Sequence, residues 1–93
     1  MFTPLASADI EEAFRWYEEQ RPGLGAHFVT ALEVLWDLLD RFPDAGPDVH
    51  RGLRRVLVPR FPYAVYYRRT GVSVEVRGCL HQHRHPRAWR RRA

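Results

Sequence analysis

His81, His83 and His85 alternate along one stretch, with Arg84 among them and Arg77 just ahead. In an extended strand, side chains at i and i+2 share a face, so the three imidazoles would point one way. Imidazoles placed like that can chelate a divalent ion such as zinc. Pro86 follows at once, however, and no neighbouring carboxylate is placed to orient the rings, as metal-bound histidines normally require. We therefore read the histidines as solvated or partner-contacting side chains and expect neither metal nor cofactor. A second chemistry uses the same residues. Cleaving a phosphodiester takes one group to accept the 2′-hydroxyl proton, another to protonate the leaving oxygen, and cations to hold the phosphate. His81 or His83, with Arg54, Arg77 and Arg84, supplies those residue types. Any basic strand bearing histidines does the same, so the competing reading is a surface that binds without turning anything over.

These residues belong to a chain whose halves have opposite charge. Met1 to His50 carries ten acids against three arginines, and Arg51 to Ala93 carries twelve arginines against Glu75 alone, an imbalance that the overall charge of +4 conceals. A basic half interleaved with aromatics and histidines points to a polyanionic or acidic partner. All fifteen basic residues are arginine, whose planar fork suits phosphate and carboxylate; a GC-rich genome produces the same bias. The length of 93 residues implies a single domain spanning 1–93. No apolar run approaches the roughly 20 residues of a membrane span, and the N-terminus does not read as a signal sequence. The lone Cys79 leaves no disulfide framework and no multi-cysteine zinc site, so a reducing cytoplasm is the simplest setting.

Two helices and three strands must position the basic residues. Ile10, Ala13, Phe14 and Tyr17 recur at helical spacing, with Ser7 expected as the cap and Asp9, Glu11 and Glu12 in the first turns. Arg21 to Gly25 breaks the chain, and Phe28, Ala31, Leu32, Leu35, Leu39 and Phe42 mark a second helix, giving an antiparallel helical hairpin with an acidic outer face. After the turn formers of 42–48 the period shortens to two, predicting strands over 53–58, 63–69 and 72–80. Strict alternation in the last strand puts Val72, Val74, Val76, Gly78 and Leu80 against the helices. Arg77, His81 and His83 then face outward. Pro86 is expected to open a short helix through Trp89 to Arg92. The fold class is therefore α+β, a helical hairpin packed on a small antiparallel sheet with a short C-terminal helix or tail. Trp16 and Trp36 flank the apolar stripes, Trp89 is expected to pin the tail onto the sheet or to offer a contact surface, and Arg90 to Arg92 read as a solvated tail.

Three stretches in register carry a resemblance: Trp16 to Gly25 with Phe28 and Leu32, Arg60 to Arg68, and Leu80 to Trp89. Together they resemble the RelE/ParE superfamily of toxins from bacterial type II toxin–antitoxin systems, almost from end to end. The Phe61-Pro62-Tyr63 form is similar to the ParE-like branch, whose members poison DNA gyrase by binding. The resemblance thus implies a toxin that binds gyrase and is neutralised by a cognate antitoxin, laid over the hairpin and the basic sheet. Arg54, Arg77, His81, His83, Arg84 and Trp89 are the expected contacts.

The alternative it implies is a RelE-like, ribosome-dependent mRNA endoribonuclease, with Arg54 and Arg84 on phosphate and His81 or His83 in proton transfer; a further one is an inactive family member acting only as an interaction module. Family nucleases typically have an arginine at the start of the middle C-terminal strand and a tyrosine or histidine near the end. Tyr63 and Trp89 stand there by register, so the nuclease set is partial and the enzyme reading is the weaker. Met1 to Pro4 looks like the end of the family's first strand. A sheet shortened in this way leaves an edge open, and a version extended upstream is expected to be more soluble and to melt higher.

Overall fold

Thr3 and Pro4 start the first helix. The computed structural model describes residues 1–93, and in it α1 runs from Pro4 to Gln20, with Thr3 Oγ1 accepting the Ala6 N–H at 3.2 Å. Thr3 is therefore the cap, and Ser7 lies one turn inside the helix, exposed. Proline at the first helical position suits that start, because its missing N–H would be an unpaired donor there. The earlier start leaves no acid in the first turn. Arg21 leaves the helix in extended geometry, and Gly23 takes φ = +90° to begin α2, Leu24–Arg41. In place of a capping residue, Glu18 Oε1 accepts the N–H groups of both Gly23 and Gly25 at 2.9 Å. One carboxylate so ties the end of α1 to the start of α2.

Four strands follow, β1 Asp48–His50, β2 Leu53–Leu57, β3 Tyr63–Thr70 and β4 Ser73–His81, paired antiparallel in sequence order. β1 is an addition to the three strands expected, joined to β2 by the two-residue turn Arg51-Gly52. Helices α1 and α2 lie on one face of the sheet. There Ala13, Tyr17, Phe28, Leu32 and Leu35 meet Val58, Val65, Val76 and Cys79 in the main core. Tyr17, Phe28, Phe61 and Tyr63 add edge-to-face and tilted aromatic contacts at centroid distances of 4.9–5.9 Å.

The other face carries a second, smaller core. Leu53, Ala64, Tyr66 and Leu80 are covered by α3, Pro86–Arg90, through Ala88 and Trp89. Leu80 therefore does not share a face with Val76 as alternation predicts. The cause is a bulge: Tyr66 pairs with Gly78 but Tyr67 with Val76, so Arg77 is an extra residue in β4. An inserted residue shifts the phase of every side chain after it. Cys79 and His81 are thereby moved to the helix side and Leu80 to the α3 side, and the outward trio of Arg77, His81 and His83 is not formed.

The outer edge of β4 is occupied as well. Met1 to Thr3 run parallel to it, with a single bridge between Phe2 and Val76; Thr3 N–H donates to Val76 O at 2.9 Å and Val76 N–H to Met1 O at 2.8 Å. Further along, Cys79 N–H donates to Asp9 Oδ2 at 3.0 Å and Arg92 Nη1 donates to Arg77 O at 2.9 Å. The edge expected to be open thus has its backbone groups engaged by the N-terminal residues, α1 and the tail. No helix is long and apolar enough to cross a membrane.

Candidate functional site

A cleft opens where α1 passes the end of β4 and the start of β3. Its smaller part, about 60 Å³, is lined by Asp9, Glu12, Tyr63, Cys79, His81 and Arg84, and it shares Glu12, Tyr63 and His81 with a larger part of about 340 Å³ bounded also by Trp16, Tyr17 and Pro62. The bulge at Arg77 is what delivers His81 here. His81 stands against Tyr63 at 5.4 Å and against His83 at 5.2 Å, both edge-on. Its Nδ1 accepts the His83 N–H at 3.1 Å, which leaves Nε2 as the proton-carrying nitrogen of the neutral ring. Burial pushes the Tyr63 hydroxyl above its ordinary range, with Cys79 and Glu12 adding to the rise and Arg84 opposing it. Tyr63 is therefore held as a phenol, a hydrogen-bond donor. Trp16 is half exposed at the mouth, its ring edge-on to Tyr17 at 5.1 Å.

The other expected residues lie elsewhere. Arg54 faces the opposite end of the sheet, donating to Gly46 O at 2.7 Å and pairing with Asp44 at 3.5 Å. It stands opposite Tyr67 and His81 opposite Tyr63, four residues apart on either side of β3, about 13 Å along that strand. Arg77 sits in the bulge, paired with Glu75 and donating from Nε to Arg92 O at 2.6 Å. Trp89 lies over Tyr66 on the α3 side, stacked at 5.6 Å and 13°, so it pins the C-terminal segment onto the sheet. The six residues are brought together only in part: His81, His83 and Arg84 share one end, while Arg54, Arg77 and Trp89 are committed to structural contacts.

The imidazole row is also broken. β4 ends at His81, and His85 Nδ1 accepts the Arg87 N–H at 3.1 Å to cap α3. No three His, Cys, Asp or Glu side chains converge as metal ligands. The sequence reading missed Glu12, Trp16 and Tyr63 as a set. Asp9, Glu12 and Trp16 recur at i, i+3 and i+7, one face of α1 beside its apolar stripe, and that spacing is the signal that could have found Glu12 and Trp16, though not Tyr63 on β3. It also missed Arg92. This residue is no part of a solvated tail, since it forms a two-pronged pair with Asp9, Nη1 to Oδ2 at 2.8 Å and Nη2 to Oδ1 at 3.2 Å.

A helical hairpin on one face of an antiparallel meander, with a short helix on the other, is the RelE/ParE layout. A similar solved structure comes from the chromosomal ParDE toxin–antitoxin system of P. aeruginosa; its chain matches with a TM-score of 0.74 at 19% identity, over 86% of this chain and 90% of that one. No curated protein matches the sequence. The family model of the ParE toxin of type II toxin–antitoxin systems, parDE, matches residues 1–86. The chain belongs to that family and is a ParE-type toxin.

Proposed function

We propose that the protein inhibits DNA gyrase by binding it, and that a cognate antitoxin prevents this. Membership of the ParE family supports gyrase as the target. The observation that carries binding over turnover is the dispersal of the basic residues. With Arg54 held by Asp44 and Gly46, Arg77 by Glu75 and Arg92, and Trp89 by Tyr66, Arg84 is the one arginine that lines the cleft with His81. What is left at the cleft is a contact surface made of Trp16, Tyr63, His81, His83 and Arg84.

The antitoxin takes a different surface. A mainly apolar groove of about 370 Å³ lies between α1 and α2, lined by Phe2, Ile10, Phe14, Val29, Leu32 and Trp36, with Ser7 and Glu11 as its polar members. An amphipathic segment with acidic and apolar residues fits it, with its acids reaching towards the basic half. A supercoiling assay with purified toxin, with and without antitoxin, tests both parts. Inhibition relieved by the antitoxin is the expected result, and full gyrase activity at micromolar toxin would overturn the target assignment.

One observation favours a second reading. Glu12, Tyr63 and His81 are acid–base types around one cleft, with Arg84 beside them as a cation for phosphate, which suits a ribosome-dependent endoribonuclease. Transcripts cut in a translation extract, with gyrase unaffected, would establish it in place of the first.

A further inference from the structure

A second basic feature lies around the corner from the cleft. Arg84, His85, Arg87, Ala88 and Arg91 surround an open depression of about 360 Å³ with no carboxylate on its rim. The guanidinium groups of Arg84, Arg87 and Arg91 are exposed and make no ion pair or hydrogen bond within the chain. Arg54, Arg69, Arg77 and Arg92 are all engaged by acids. Three like charges gathered on one rim repel each other, and an anion in their midst relieves that repulsion.

The rim is also held firmly. Ala88 and Trp89 are seated on the second core, and Arg92 is tied to Asp9 just beyond Arg91. Arg87 and Arg91 are thus presented from a fixed backbone, and little chain entropy is lost when they engage a ligand.

We propose that this depression is a phosphate-backbone site that takes duplex DNA. The arginine fork matches a phosphate geometrically. Single strands are ordinarily held by stacking their bases on exposed rings. Only one ring lines the depression, His85, and its Nδ1 is committed to the Arg87 N–H at 3.1 Å; Trp89 has Tyr66 on one side and the Arg90 guanidinium over its ring at 5.5 Å. Arginine clusters also take acidic or phosphorylated peptides, but such partners gain much of their hold from buried apolar anchors, and here Ala88 is the only hydrophobic lining residue. What remains is regularly spaced, sequence-independent charge, which the outside of a duplex supplies. The site shares Arg84 with the cleft, but DNA binding does not require the gyrase reading. If that reading holds, it places the toxin against the DNA that gyrase grips.

The test is fluorescence anisotropy of a labelled 20-base-pair duplex, with purified full-length toxin and no gyrase, from about 50 to 200 mM salt. Binding in the micromolar range at the lowest salt is expected, weakening steeply as salt rises. Combined Arg84→Gln, Arg87→Gln and Arg91→Gln should cost at least about tenfold in affinity and reduce the log–log salt slope by about 2.7, the release expected for three phosphate contacts. A control carrying Arg21→Gln, Arg51→Gln and Arg60→Gln loses the same charge elsewhere and should change both far less. Circular dichroism and melting of the first variant should match wild type, since its three side chains are exposed and unpaired. The proposal is overturned by any of three results: no duplex binding at the lowest salt, equal losses in the two variants, or tighter binding of single-stranded DNA or polyglutamate than of duplex.

Discussion

Asp9 and Arg92 are 83 positions apart in the chain and form its most enclosed ion pair, two-pronged, with both side chains only 13–14% exposed. The same Asp9 carboxylate accepts the Cys79 N–H from the edge of β4, and the same Arg92 donates to Arg77 O. One pair so closes the sheet edge, anchors α1 and holds the tail. Asp9→Ala leaves an enclosed guanidinium without its counter-ion and the Cys79 N–H without an acceptor, and should destabilise the fold by about 3 kcal/mol. Arg92→Ala should cost less, about 2 kcal/mol, because water reaches the freed carboxylate more easily and Cys79 keeps its acceptor. Urea titration of the two variants checks the order; losses below about 0.5 kcal/mol, the range of ordinary surface substitutions, would show that the pair contributes nothing net.

The Asp9 carboxylate also acts on the thiol beside it. Burial, and then Asp9, push Cys79 from 9.0 up to about 12. In the unfolded chain the thiol ionises near 9 while the folded one keeps its proton to about 12, so the unfolded state loses its proton first. Stability from this group is complete below 9 and falls as pH rises through that window, by about 1.4 kcal/mol per pH unit. Tyr17, Tyr63 and Tyr66, all raised chiefly by burial, add to the fall above 10. Cys79→Ala will start less stable, having lost buried volume, but its melting temperature should decline more gently between pH 8.5 and 10. Parallel declines in the two proteins would remove Cys79 from the account.

Close approach at two glycines gives a graded prediction. A Cβ on Gly25 would meet the Phe14 ring and Glu18 Cγ at 2.9 Å, both side-chain atoms at the crossing of α1 and α2. A Cβ on Gly46 would meet Arg55 O at 2.5 Å, which is backbone within the sheet and cannot turn aside. The Gly46 N–H also donates to Tyr67 Oη at 2.9 Å, whose hydroxyl donates on to Pro43 O at 2.8 Å. Gly46→Ala should therefore cost more than Gly25→Ala, about 3 against 1–2 kcal/mol on the scale of overpacking. Denaturant midpoints give the comparison, and the reverse order would mean that the loop of 43–47 yields more readily than the helical hairpin.

The helical hairpin was legible because apolar residues at helical spacing and a Pro-Gly break are local signals that tertiary packing here reinforces. The sheet was legible as strands but not as faces. The local hints of a bulge at Arg77 are weak, only Gly78 beside it and the apolar Cys79 on the polar face, and the shift is fixed by Tyr66 and Tyr67 on the neighbouring strand. That single insertion decided where His81 points, and so the make-up of the candidate site. Arg92 was unreadable for a similar reason, its partner lying at the other end of the chain. β1 was hidden because Asp44 to Asp48 reads as turn throughout, and because its hairpin lacks the usual turn residue.

That last omission leads to a stabilising substitution. His50 pairs with Leu53 across a two-residue turn in which Arg51 has φ = +49° and Gly52 φ = +85°. Two positive φ values match the twist of adjoining strands, and Asn-Gly is the pair that adopts them most readily. For an arginine the left-handed region costs roughly 1–2 kcal/mol, whereas asparagine enters it routinely. The Arg51 side chain makes no hydrogen bond or ion pair within the chain, and its carbonyl, which accepts from Arg68 Nη2 at 2.8 Å, is retained by any residue. Arg51→Asn should thus stabilise by about 0.5–1 kcal/mol and raise the melting temperature by several degrees, at about 4–8 °C per kcal/mol for a domain of this size. Calorimetry of the single variant decides it. An unchanged or lower melting temperature would mean that β1 is not held in this turn in solution, and that the sheet begins in earnest only at Leu53.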